Sequence, residues 1–268
     1  MFQFDFIQRA FLAGLAISFI TPVLGLLLIL RRQSLMADTL AHISLSGVAL
    51  GAVLGVRPTW PTLLVVVIAA IIIEYLRLVF SHFSEVSVAI MMATGMAFAL
   101  ILVGLNSNGG NFQIDQYLFG SIILVSSEDV YLLIGLAILV TLLYIIFRRP
   151  LYILSFDEAT AQTLGLPTRT ISVIFSMITG LAISVMMPIV GTLLVSALIV
   201  IPSATAIKIS SSFIQTIIIA VIINVIGIFG GITASFYLDT PPGASITIIF
   251  VVIFILMSLY TSIRSKIH

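Results

Sequence analysis

The chain reads as an all-α, polytopic transmembrane helical bundle, and three observations predict it. Of 268 residues, 61% are hydrophobic and only 8% carry charge, with a strongly positive mean hydropathy, a balance soluble chains of this length do not have. Apolar runs long enough to cross a bilayer, roughly 20 residues each, recur from end to end, separated by short segments that hold the charges. No polar segment is long enough to fold alone, so residues 1–268 form a single membrane domain. The net charge is +1 with the basic residues scattered between runs, which gives no footprint for nucleic acid. The chain has no cysteine, so disulfides and thiolate metal sites are excluded and any metal would need oxygen and nitrogen ligands.

Taken in order, the first span is expected near 10–30. The segment before it, Met-Phe-Gln-Phe-Asp-Phe-Ile-Gln-Arg, is no cleavable signal, because the apolar run that follows is full length and lacks a small-residue cleavage site. Further spans fall near 40–56, 62–80 and 87–105. A polar stretch, 106–111, then opens the longest loop on one side, and its continuation 117–125 is apolar enough to dip back into the membrane. A fifth span lies near 129–147. The stretch 170–207 has no charged residue and holds two short spans, 171–187 and 190–207, with Pro188 and Gly191 breaking it as a tight hairpin requires. Spans at 213–236 and 244–263 complete nine, or eight if the short ones are misjudged.

Nine spans put the termini on opposite sides. With the N-terminus outside, Arg31, Arg32, Arg77, Arg148, Arg149, Arg169, Lys208, Arg264 and Lys266 fall inside and only Arg9 and Arg57 fall outside. The positive-inside rule selects that orientation and leaves the C-terminus in the cytoplasm.

Few groups in such a chain can do chemistry. Asp38 and His42 are four residues apart, so on a helix they share a face. A carboxylate and an imidazole are ligands that zinc and manganese accept; the same pair also fits an interfacial couple that merely orients a helix start. Glu74 precedes Arg77 by three residues and is expected to pair with it at the inner end of the third span. The loop 148–170 contains a short helix near 156–166, with Asp157 and Glu158 at the end where the helix dipole favours acids and Gly165 with Pro167 to stop it. Lying along the membrane, it suits docking of a cytoplasmic partner. Ser196 and Pro202 in the seventh span are expected to set a kink or gate. Asn224 in the eighth is expected to hydrogen-bond between helices. Asp115, Glu128, Asp129 and Asp239 fall outside, to face a binding partner or solvent.

These segments carry a family resemblance. Asp157-Glu158-Ala159 through Leu164-Gly165-Leu166 resembles the coupling-helix loop of permeases in the vitamin B12 and siderophore class of ABC importers. Arg31-Arg32-Gln-Ser-Leu-Met-Ala-Asp38-Thr-Leu-Ala-His42, followed by Gly47, is similar to the zinc- and manganese-transporting branch, and closer to zinc-uptake permeases of Gram-positive bacteria. Gly191-Thr-Leu-Leu-Val-Ser196 through Pro202, and Asp239-Thr-Pro-Pro-Gly243, resemble later motifs of that branch, in the same order along the chain. The resemblance implies a multi-pass permease of a bacterial plasma membrane, working as a homodimer with two ATPase subunits and an extracellular, lipid-anchored or periplasmic metal-binding protein. Zn2+, or Mn2+, would be cargo rather than a resident cofactor. It would pass Asp38 and His42, with Asp157, Glu158, Ala159, Leu164 and Gly165 docking the ATPase and Asp239 meeting the binding protein.

The residues agree with ATP being handled on a separate subunit, because no Gly-x-x-x-x-Gly-Lys-[Ser/Thr] phosphate loop occurs in these residues; the chain is not expected to be an enzyme. The rival class is a proton-coupled secondary transporter. Such proteins concentrate ionisable residues at mid-membrane, and here only Asp38, His42 and Glu74 are available.

Overall fold

The computed structural model describes residues 4–80, 84–105, 114–121 and 125–267. Among these residues every regular element is an α-helix. The order is α1 (Asp5–Leu30), α2 (Ser34–Leu54), α3 (Thr59–Val79), α4 (Ser84–Leu105), α5 (Ile114–Phe119), α6 (Ser127–Phe156), α7 (Glu158–Thr163), α8 (Thr168–Val190), α9 (Val195–Ile209), α10 (Phe213–Leu238) and α11 (Pro242–Ile267). Eight are long and apolar enough to cross a membrane. The remaining expected span, 190–207, corresponds to α9, which has 15 residues, about 22 Å at 1.5 Å per residue, and is too short to cross a core of about 30 Å. Each expected span has its helix. The polar stretch 106–111, residues 122–124 of the dipping segment, His82 and His268 lie outside the described residues.

Burial sorts the bundle into an inner and an outer layer. Helices α1, α2 and α8 are mostly buried, whereas α4, α6 and α11 turn most of their surface outward. Helix α1 packs on α6, α9 and α10, while α2 lies against α3, α4, α8 and α9. Serine and threonine are tolerated in the inner layer because their hydroxyls turn back onto their own helix: Ser18 donates to the Gly14 carbonyl at 2.8 Å, Thr21 to Ile17 at 2.9 Å and Thr179 to Phe175 at 2.8 Å. Buried in this way, a hydroxyl leaves no unmet donor in an apolar setting.

Helix α6 kinks where the fifth span is expected to end, at Phe147 (φ −99°, ψ 15°), and a further helical stretch carries on through Pro150 to Phe156. A proline removes one hydrogen bond and crowds the preceding turn, and bending there is enough to accommodate it. Likewise α8 passes through Pro188 and stops at Val190, where Gly191 takes φ +91°. The glycine, not the proline, makes the hairpin.

The dipping segment is anchored on that hairpin by main chain. Ser121 N–H donates to the Pro188 carbonyl (3.1 Å), and Thr192 and Leu193 donate to Tyr117 and Leu118 (2.9 and 3.3 Å). Gly120 and Gly191 face each other across the junction: a Cβ on Gly120 would lie 2.4 Å from the Ile189 oxygen, and one on Gly191 2.4 Å from the Leu118 oxygen. Both have positive φ as well, so glycine is required twice over.

Candidate functional site

Asp38 and His42 occupy successive turns near the start of α2, and the face they share meets the first turn of α9. The nearest approach of the pair, His42 Nε2 to Asp38 Oδ1, is 3.9 Å, with the side chains 12% and 34% exposed respectively. That is too long for a hydrogen bond. Ser196, one residue into α9, donates its hydroxyl to Asp38 Oδ1 at 3.2 Å. His42 Nδ1 is buried with no hydrogen-bond partner among the described residues. The three side chains therefore converge, partly open, as a carboxylate, an imidazole and a hydroxyl, all hard or borderline donors. Among the described residues no group of three His, Cys, Asp or Glu side chains gathers anywhere, so this cluster offers fewer than the four ligands a structural zinc site takes.

Ser196 was expected at a kink or gate rather than beside the carboxylate. Pro202 is buried farther along α9, which runs unbroken from Val195 to Ile209. Asn224 is fully buried and neither end of its amide has a partner among the described residues, so the interhelical hydrogen bond expected of it is not formed. Sequence spacing had no means of finding the Ser196 contact, which joins positions 158 residues apart.

A second charged cluster lies at the C-terminal end of α3, where Arg77 meets α7. Glu74 is fully buried and saturated: Arg77 donates to it from Nε (3.1 Å) and Nη2 (2.7 Å), and the Ser176 hydroxyl at 3.1 Å. The expected Glu74–Arg77 pair is present, but Arg77 also reaches Glu158 of α7 at 3.6 Å. Nearby, Arg31 donates to the Ser172 hydroxyl and lies over the Phe175 ring, 5.2 Å from its centroid.

Helix α7 itself is shorter than expected but closed at both ends. Asp157 is its N-cap, accepting from the backbone N–H groups of Ala159 (3.0 Å) and Thr160 (3.1 Å) and from the Thr160 hydroxyl. These bonds, the hydroxyl's first, hold its carboxyl below the usual carboxylate range. At the other end Gly165 (φ +76°) donates to Gln162 at 2.9 Å and Leu166 to Ala161 at 3.1 Å, the paired bonds of a Schellman motif. Ala161 is buried against the bundle, whereas Ala159 is exposed and Leu164 is 62% exposed. The helix thus presents small and apolar side chains on its free side.

At the opposite end of the bundle, the acids expected to await a partner are partly spoken for. Glu128 is paired with Arg57, and Asp129 closes a capping box with Ser126, the two backbone–side chain bonds being 3.1 and 3.2 Å. Asp239 remains exposed, ending α10 in the left-handed region at φ +53°.

Similar proteins match nearly the whole length of this chain. A "Probable metal transport system membrane protein" of Treponema pallidum is 32% identical over 264 residues, covering 98% of each chain. The "High-affinity zinc uptake system membrane protein ZnuB" of Buchnera aphidicola subsp. Schizaphis graminum is 31% identical, covering 92% of this chain and 94% of its own. The "Manganese import system permease protein ScaB" of Streptococcus parasanguinis is 29% identical, covering 95% and 90%. The solved structure of PsaBC from Streptococcus pneumoniae in complex with Fab superposes with a TM-score of 0.83 at 27% identity, covering 95% of this chain and 91% of that one. With residues 3–261 matching it throughout, the chain belongs to the ABC 3 transport family.

Proposed function

We propose that this chain is the membrane permease of an ATP-driven importer of a divalent metal, zinc in the first place, working as a homodimer in a bacterial plasma membrane. The observation that carries the reading is the convergence of Asp38, His42 and Ser196 from two helices onto one partly open position. Cargo must enter and leave, so a path needs fewer and looser ligands than a storage site. A second copy could supply another pair, or water could fill the shell in transit. The zinc assignment draws on the ZnuB relative and on the imidazole; the ScaB relative supports a second reading, manganese.

ATP would be hydrolysed on a partner subunit that grips α7, with Asp157 and Gly165 fixing the ends of the helix, Ala159 and Leu164 presenting its free surface, and Glu158 tying it to Arg77. The metal would arrive from an extracellular binding protein near Asp239. This reading orients the N-terminus outward and the C-terminus inward, in line with the distribution of Lys and Arg.

Zinc and manganese uptake into cells lacking their own importers, with this chain and its ATPase expressed together or singly, tests the proposal. Zinc accumulation that requires both subunits is the expected result. Manganese accumulation alone replaces the cargo and keeps the mechanism; uptake without the ATPase, driven by a proton gradient, overturns it. Single cysteines replacing Gln162 and Asp239, both exposed, test orientation: an impermeant thiol reagent applied to intact cells is expected to label only the second.

A further inference from the structure

The turn between α1 and α2 encloses a feature that metal passage does not use. A cavity of about 400 Å3 is lined there by Arg31, Arg32, Gln33 and the first turn of α2, and by Arg77 and Glu85 across from them. Gln33 is 9% exposed, and both its amide nitrogen and its oxygen lack a partner among the described residues; so does the buried Nη1 atom of half-buried Arg31. Buried polar groups are ordinarily satisfied, and leaving them bare is destabilising.

The charge is one-sided. Arg77 is neutralised by Glu74 and Glu158, and the cavity wall sets Arg31, Arg32 and Arg77 against one acid of its own, Glu85. Burial pushes the Arg31 guanidinium down to about 10, with Glu74 and Glu158 opposing the fall and Arg77 adding to it. The α2 N-terminus adds to this, since no side chain caps it and its free N–H groups and dipole favour an anion. Arg32 is held at φ +56°, in the left-handed position that closes α1 and where glycine is usual. An arginine kept there against the steric cost of that backbone conformation is kept for its side chain.

We infer that this cavity is a binding site for a phosphate-type oxyanion, held by Arg31, Arg32, the Gln33 amide and the α2 N-terminus. The ligand is either free phosphate or the headgroup of an anionic phospholipid. The inference stands apart from the transport reading, and its test needs neither cargo nor ATPase.

The full-length protein in phosphatidylcholine nanodiscs is titrated with inorganic phosphate, against chloride at equal ionic strength, while its thermal unfolding is followed. A saturable rise in Tm of roughly 5–10 °C is expected. Gln33→Leu and Arg32→Gly are expected to lose it, and the latter should raise the basal Tm by relieving the positive φ. Nanodiscs containing phosphatidylglycerol separate the sources. If the headgroup is the ligand, this lipid alone raises Tm, phosphate adds nothing, and both variants lose the gain. Equal shifts in wild type and variants, or no shift with either ligand, overturn the proposal and leave a water-filled cavity.

Discussion

The two charged clusters of the bundle handle a carboxylate in opposite ways. Glu74 is fully buried and accepts three hydrogen bonds between 2.7 and 3.1 Å. Asp38 is a third exposed, receives one hydroxyl at 3.2 Å, and stands 3.9 Å from the imidazole on its own face. A buried charge survives only when it is paired and hydrogen-bonded, and Glu74 is tied into the bundle through both of its oxygens. Asp38 has capacity to spare. The same residue class therefore supplies a closed structural tie in one place and, in the proposed function, an open landing place in the other.

The contrast breaks most sharply if the open site can be deleted without effect. Asp38→Ala and His42→Ala are each expected to cut metal uptake at least about 100-fold, more than the loss of a single hydrogen bond would explain, while Tm and yield stay near wild type. Normal uptake in both would reduce the pair to an orientation device at the start of α2. Glu74→Ala should do the reverse. Removing one partner of a buried pair costs about 3–5 kcal/mol, so the purified variant should unfold at markedly lower temperature, with uptake falling only as folded protein is lost. An unchanged melting curve would show that the tie is not structural.

Two smaller effects sharpen the comparison. Ser196→Ala removes one hydrogen bond from Asp38, worth about 1 kcal/mol, and a roughly fivefold change in uptake at low metal concentration is expected. Ser196→Thr keeps the hydroxyl and should restore most of it. At α7, the carboxyl of Asp157 titrates below its ordinary range. Its cap is therefore complete above that range and is lost as pH falls through the lowered value. Limited proteolysis at 157–166 should accelerate on acidification in the wild type. Asp157→Asn, which caps without ionising, should flatten that dependence; an equal acceleration in both would assign the change to another group.

Hydropathy made the spans legible because lipid exposure and burial both demand apolar side chains, and a helix stands where each of the nine runs lies, eight of them long enough to cross a membrane. Local pairings were legible too: Glu74 with Arg77 and the stop at Gly165 follow from spacing and backbone preference. Pro188 does not make the hairpin expected of it, since a helix supported by neighbours can bend through a residue that would end it alone. What could not be read was every contact made across the bundle. Ser196 on Asp38, Ser172 under Arg31 and Glu158 against Arg77 join residues 158, 141 and 81 positions apart, and a periodicity within one helix carries no information about which face of another it meets. The capping of Asp129 was written in its local Ser-x-x-Asp spacing and was passed over for a role outside the chain.

The junction of the dipping segment with the α8–α9 hairpin has a consequence for how this part of the protein can vary. Its hydrogen bonds run from main chain to main chain, through Tyr117, Leu118, Ser121, Pro188, Thr192 and Leu193, and a backbone bond survives many changes of side chain. Among the described residues of the two segments of this junction, Gly120 and Gly191 are the glycines fixed by sterics. Descendants of this sequence can therefore change exposed side chains here while the segment's position is inherited, provided those two glycines are kept.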